Sequence, residues 1–227
     1  MRHYHHEVPG PFGIILQILS GAVVGLLIAG AYLALKPVKV MDAQAAAKAA
    51  KDTGAVVERN VVAYVPGNPG HPSGQQWRVR ETAFLNRTAP GVAISETDLN
   101  RWIATTYGAA DRKFEIKEVD LVIEPHPPLC RLDGAEMQVG FEFACAMGES
   151  KKSVVAQARG HFEKQGDRHV FVPTTVYLGS CPLPGKLGTM LVEKLGAAYP
   201  IPDATAASWK AVTSAKIEES QLKLAFN

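Results

Sequence analysis

From Ile14 to Leu35 the chain runs for 22 residues without a charged side chain. As a helix rising 1.5 Å per residue this run is about 33 Å long, against a bilayer hydrocarbon core of about 30 Å. A helix that is apolar all round, placed inside a soluble protein, would need apolar neighbours on every side. The run therefore reads as a transmembrane helix. Gln17 and Ser20 are its main polar residues, Tyr32 suits the interface near one end, and Pro37 ends or kinks it. The competing reading is a cleaved signal peptide, with Ala43-Gln44-Ala45 as its cleavage site. The apolar region of such a peptide is about 7–15 residues, shorter than this one. The expected organisation is a tail over 1–13, the membrane helix over 14–35, a juxtamembrane stalk and loop over 36–74, and a soluble domain over 75–227.

Gly21, Gly25 and Ala29 align small side chains along one helix face. There a partner helix, or the same helix of a second copy, can approach closely. Lys36, Lys39, Lys48 and Lys51 follow the helix and Arg2 precedes it, a bias that by itself keeps the following domain in the cytoplasm.

Charge excludes one class of partner. The net charge of +2 resides in the first 40 residues, and beyond them acidic and basic side chains cancel. A neutral domain offers no electrostatic footprint to a phosphate backbone, so nucleic acid is not an expected partner. The three cysteines, Cys130, Cys145 and Cys181, form no CxxC pair, and their odd number prevents complete pairing within one chain. They read as small buried apolar residues, the alternative being one disulfide and one thiol.

The soluble part changes period along its length. Ala-rich residues 41–53 read as a short helix or stalk, Val56–Val65 as β-prone, and 66–74 as a loop. Gln75–Asn86 reads as a helix. Ser95 and Asp98 form a capping pair for a second one, with Leu99, Trp102, Ile103, Thr106 and Tyr107 as its stripe. Alternation then sets in around residues 119–124. It is strongest where Met137, Val139, Phe141, Phe143, Cys145 and Met147 share one strand face, with Glu136, Gln138, Gly140, Glu142, Ala144 and Ala146 on the other. Strands over Ser153–Lys164 and His169–Leu178 follow around a Gln165-Gly166-Asp167 hairpin. A helix over 186–198, a short helix over Ala204–Val212 and a strand carrying Leu222, Leu224 and Phe226 close the chain. The expected fold is α+β: a membrane helix, then a mostly antiparallel curved sheet packed with amphipathic helices. The apolar strand face should meet the stripes of the two longer helices, and it is also the candidate surface for an apolar ligand.

Catalytic signatures do not appear. There is no GxSxG, HExxH or P-loop. His71, His126, His161 and His169 read as surface residues, and His3, His5 and His6 as a solvated tail rather than a metal site, because nothing completes a ligand set. No catalytic, cofactor or metal residue is assigned, and the chain does not read as an enzyme.

Ile94-Ser95-Glu96 ahead of Leu99-Asn100, and Leu178-Gly179 ahead of Cys181-Pro182-Leu183-Pro184, resemble the YpmS-like family of single-pass bacterial surface proteins. The likeness spans residues 90–226. The Pro-rich loop at 66–74 and the inserted Ser180-Cys181 depart from the family pattern. The resemblance implies an anchored domain outside the cytoplasmic membrane, against the lysine bias, and in some relatives a tubular lipid-binding fold. The expected role is binding or scaffolding at the cell envelope, for a lipid or other apolar ligand. The alternative is an accessory subunit of a membrane complex.

Overall fold

The computed structural model describes residues 11–42, 44–46, 48, 62–71, 73–108, 113–117 and 120–226; at 11–19, 116, 121 and 147 it describes the backbone alone. The apolar run forms helix α1, Pro11–Leu35. Side chains from Gly21 to Ala29 are all exposed, Leu26 at 73% and Leu27 at 68%. The last turn differs. Leu33 and Ala34 are half-buried, and the Ser180 amide donates to the Leu33 carbonyl at 2.9 Å. Side chains of α1 are described from Ser20 onward, about 24 Å of helix. Among the described residues no helix is long and apolar enough to cross a membrane. The backbone of the whole of α1 has 25 residues, a rise of about 37 Å.

Strand β1 (Lys39–Val40) pairs in parallel with β2 (Ala63–Tyr64). Helix α2 (Gln76–Asn86), strand β3 (Gly91–Ser95) and helix α3 (Glu96–Tyr107) follow. α3 begins at the expected cap: the Asp98 amide donates to Ser95 Oγ at 3.1 Å, and the Ser95 hydroxyl donates to the Asp98 carboxylate at 2.7 Å.

β4 (Phe114–Ile116), β5 (Leu121–Pro125), β6 (Leu129–Asp133), β7 (Glu136–Met147), β8 (Ser150–Gln165), β9 (Arg168–Leu178) and β10 (Cys181–Pro182) form one antiparallel sheet. Its order is β10-β9-β8-β7-β5-β4, and β6 also pairs with β7. β5 and β6 lie end to end on the same edge of β7, opposite residues 143–147 and 136–140. Pro127 and Pro128 separate them, since neither has an amide with which to continue the ladder. A bulge between Arg159 and Gly160 bends β8 and raises its twist.

Helix α4 (Gly185–Ala197) packs on β9, where Gly188 lets the helix settle directly on the Val176 side chain. Helix α5 (Asp203–Trp209), β11 (Val212–Glu218) and β12 (Gln221–Phe226) complete the chain, and β11-β12-β3 make a second sheet. The short helix expected over Ala204–Val212 therefore stops at Trp209. Val212 instead opens a strand, 3% exposed and paired with Phe226. Burial between the sheets outweighs the helix propensity of the Ala-rich run.

The core lies between the two sheets. Met137 and Phe141 meet Ala215, Ile217, Leu222 and Leu224, with Ile103 and Tyr107 of α3 beside them. An aromatic chain crosses it from Trp102 to Tyr107, Tyr199 and Phe141, with ring centroids 6.0, 5.5 and 5.9 Å apart.

Two polar side chains fix α3 to the open edge of β6. Asn100, with no exposed surface, accepts from the Cys130 amide and donates to the Cys130 carbonyl, both at 2.7 Å. The Glu96 carboxylate accepts from the Leu132 amide at 2.8 Å and the Asn68 amide at 2.6 Å. The match is geometric. Four residues along a helix cover about 6 Å, and two along a strand about 6.7 Å. Side chains of α3 thus take the place of a neighbouring strand on that edge.

The outer face of the long sheet corrects the sequence reading. Gln138 and Gly140 fall on the phase expected to meet solvent, yet Gln138 is 3% exposed and Gly140 is buried. Residues 62–68, which composition places in the stalk and loop, cross that face. Tyr64 and Val65 are buried there. Gln138 Nε2 donates to the Val65 carbonyl at 2.8 Å, and Gln157 Nε2 to the Ala63 carbonyl at 3.4 Å. A Cβ at Gly140 would collide with the Tyr64 ring.

Candidate functional site

The stripe of α2 is Trp77, Arg80, Glu81 and Phe84, spaced i, i+3, i+4, i+7 and so on one face. The face of α3 carrying Asp98, Leu99 and Trp102 lies opposite. Trp209 at the end of α5, Phe162 of β8, Ile94 of β3, and Leu222 and Leu224 of β12 complete a cavity of about 230 Å³. The chain has three tryptophans, and all three line it.

Hydrogen bonds orient two of the indoles. Trp102 Nε1 donates to the Glu81 carboxylate at 3.0 Å, and Trp209 Nε1 to the His169 carbonyl at 2.8 Å. Both rings therefore have their polar edge satisfied and offer apolar surface inward. Phe84 and Phe162 stand beside Trp209, with centroids 6.3 and 5.6 Å away. The polar groups at the rim are mostly engaged. Glu81 holds Trp102, and Asp98 holds the Ser95 hydroxyl. Arg80 is exposed at the mouth, and no ion pair among the described residues includes it.

The volume falls between about 150 Å³, an engineered cavity that takes benzene, and the roughly 300–1,000 Å³ of sites for larger ligands. That volume accommodates one ring or one alkyl chain. Thr205 carries the lining's one hydroxyl, and no histidine or cysteine reaches it. A lining of this kind can desolvate an apolar molecule. A wider recess of about 440 Å³ lies beside Glu136, His161, Lys216 and Glu218. Its rim is charged and open, so it lacks the apolar enclosure of the first.

Sequence reasoning placed the apolar surface elsewhere. Met137 and Phe141 are core residues, Val139 and Phe143 pack against that core, and Cys145 is half-buried. The side chain of Met147 lies outside the described residues. None of the six lines the cavity. Gly21, Gly25 and Ala29 sit on exposed α1, with nothing within 4 Å of a Cβ built at either glycine. His3, His5 and His6 lie outside the described residues, and among those described no cluster of three potential ligands could hold a metal ion.

His169 is not the surface residue expected. It is 9% exposed, and neither ring nitrogen has a partner among the described residues. The cysteines divide. All three are free thiols. Cys130 is fully buried, and desolvation pushes its pKa up to about 12, with the nearby Glu96 adding to the effect. Cys145 and Cys181 are half-exposed rather than buried.

The signal that could have found the cavity was present. Trp77 and Phe84 share one helical face with Glu81, and Trp102 belongs to the next amphipathic helix. What sequence does not provide is the meeting of six separate elements around one space. No protein-family model, curated protein or solved structure matches this chain.

Proposed function

We propose that this chain is a membrane-tethered binding protein that takes a small apolar or amphiphilic molecule into the cavity lined by Trp77, Trp102 and Trp209. The observation that carries the reading is the convergence of every tryptophan in the chain on one apolar cavity of about 230 Å³. Surface of that kind is normally filled by side chains during folding. Indoles whose N–H groups are tied down at the back make a rigid wall that loses little freedom when a ligand enters. Arg80 at the mouth suits an anionic head on an apolar tail, as in a medium-chain carboxylate.

The tether is α1. Its 25-residue backbone helix is long enough to cross a hydrocarbon core of about 30 Å, and its exposed side chains from Gly21 to Ala29 include Val23, Val24, Leu26, Leu27 and Ile28. Exposed apolar surface of that extent marks a membrane or partner surface. The resemblance to the YpmS-like family points the same way and puts the domain outside the cytoplasmic membrane. A second reading, an accessory subunit assembled through α1, is favoured by the open face at Gly21 and Gly25.

The test uses the full chain in lipid nanodiscs and a medium-chain fatty acid brominated at its tail, because bromine quenches indole emission on contact. Saturable quenching is expected, and it should be lost in Leu99→Phe, which fills the cavity. Quenching that rises linearly with probe, equally in both proteins, reports partition into the bilayer alone and defeats the binding role.

A further inference from the structure

We propose that α4 lies on the surface of the same bilayer that α1 crosses, with Leu187 and Met190 in the interfacial layer and Lys186 and Lys194 over anionic headgroups. The inference rests on the reading of α1 as the tether.

The end of α1 is fastened to the domain rather than linked to it by free chain. The Ser180 amide bonds the Leu33 carbonyl at 2.9 Å. Gly179, at φ +56°, sits so close that a Cβ would collide with the Ala34 carbonyl. The β9–β10 turn therefore stands at the level where the apolar helix ends. From that turn the Leu183 amide returns to the Val176 carbonyl at 2.9 Å, and Gly188 seats α4 on Val176. Val176 is three residues along β9 from Gly179, about 10 Å. A helix so close to the membrane exit has the bilayer as its neighbour.

The side chains of α4 suit that neighbour. Leu191 and Leu195 face the core. Leu187 and Met190, spaced i, i+3, are each 55% exposed, and Lys194 continues their row. Lys186 precedes them, and Glu193 is the helix's one acidic residue. An apolar row flanked by lysines is the pattern of a helix lying in the interface, where long basic side chains reach back to the headgroups. Lys36 and Lys39 at the end of α1 extend the basic belt toward anionic lipid.

The experiment places an environment-sensitive fluorophore on Met190→Cys, in the full chain with Cys145 and Cys181 replaced by Ser; buried Cys130 stays unlabelled. The control label is at Asp167→Cys, in the hairpin at the far end of β9. The protein is reconstituted in phosphatidylglycerol-containing vesicles with lipids spin-labelled near the top of the acyl chain. The expected result is flotation with the vesicles, a blue-shifted label at 190, and quenching severalfold stronger there than at 167. Charge reversal by Lys186→Glu and Lys194→Glu should reduce that quenching. Flotation with a label at 190 as water-exposed as that at 167 overturns the surface contact and leaves the tether standing. Failure to float overturns the tether and this inference with it. Undiminished quenching after charge reversal overturns the part assigned to the lysines.

Discussion

The inner and outer faces of β7 are covered by opposite means. Inward, Met137 and Phe141 meet hydrocarbon from the second sheet and from α3. Outward, Gln138 reaches to the Val65 carbonyl, and Gly140 makes room for the Tyr64 ring. The inner cover is broad and held by area. The outer cover is a narrow extended segment, residues 62–68, held by directed hydrogen bonds and one close fit. Area tolerates small shifts of its partners, whereas a hydrogen bond to a named carbonyl fixes register. The segment so fixed includes β2, which pairs with β1 just beyond α1, so the outer face also sets where the domain sits relative to α1.

The largest expected effect is on the inner face. Phe141 is 5% exposed and stacks near Tyr199. Phe141→Ala should cost about 3–5 kcal/mol in denaturant unfolding of the full chain. Because Phe141 does not line the cavity, binding measured on the folded fraction should be unchanged. A loss below about 1 kcal/mol, or a binding defect without a stability loss, would break the assignment of this face to the core.

The same contrast explains what was legible in the sequence. Inner-face residues announce themselves by alternation, because hydrocarbon every second residue has few other uses. The α+β class, β7, the Gln165–Asp167 hairpin and the Ser95 cap all follow from such local rules. The outer face reads falsely. Gln138 and Gly140 look solvent-facing, and 66–74 looks like a free loop. Whether a glutamine meets water or a backbone carbonyl depends on a segment some 70 residues away in sequence. Asn100 is illegible for the same reason, since its partner is the backbone of Cys130 rather than any side chain. β6 and β11 become strands only by pairing and burial. The cavity required six elements at once.

A smaller effect is expected on the outer face. Gly140→Ala forces Tyr64 to move, an overpacking cost of about 1–3 kcal/mol. The sharper measurement is the double-mutant cycle. In a Tyr64→Ala background the obstruction is gone, and Gly140→Ala should become nearly neutral. Equal costs in both backgrounds would mean that the two residues do not meet and that the outer face is covered in some other way.

The smallest effect separates the faces by titration. Burial raises the Cys130 thiol on the core side to about 12 from an ordinary 9.0. Tyr64, on the outer side, also has its hydroxyl raised above the usual 10.0, by burial first and then by the charges of Glu142 and Cys130. Each group holds its proton more tightly folded than unfolded. Each contribution is therefore fully present below the unfolded value and fades as pH climbs toward the folded one. Stability should be flat to about pH 9 and fall above it, first through Cys130 and then through Tyr64. One group changes the slope by at most about 1.4 kcal/mol per pH unit. Cys130→Ala should remove the part of the decline that begins near 9. Tyr64→Phe should leave that part in place and flatten the decline that begins near 10. Unfolding midpoints collected across alkaline pH for the three proteins would show this. Were Tyr64→Phe to leave the upper slope unchanged, the phenol would titrate freely in water, and the segment over the outer face could not be the seal described.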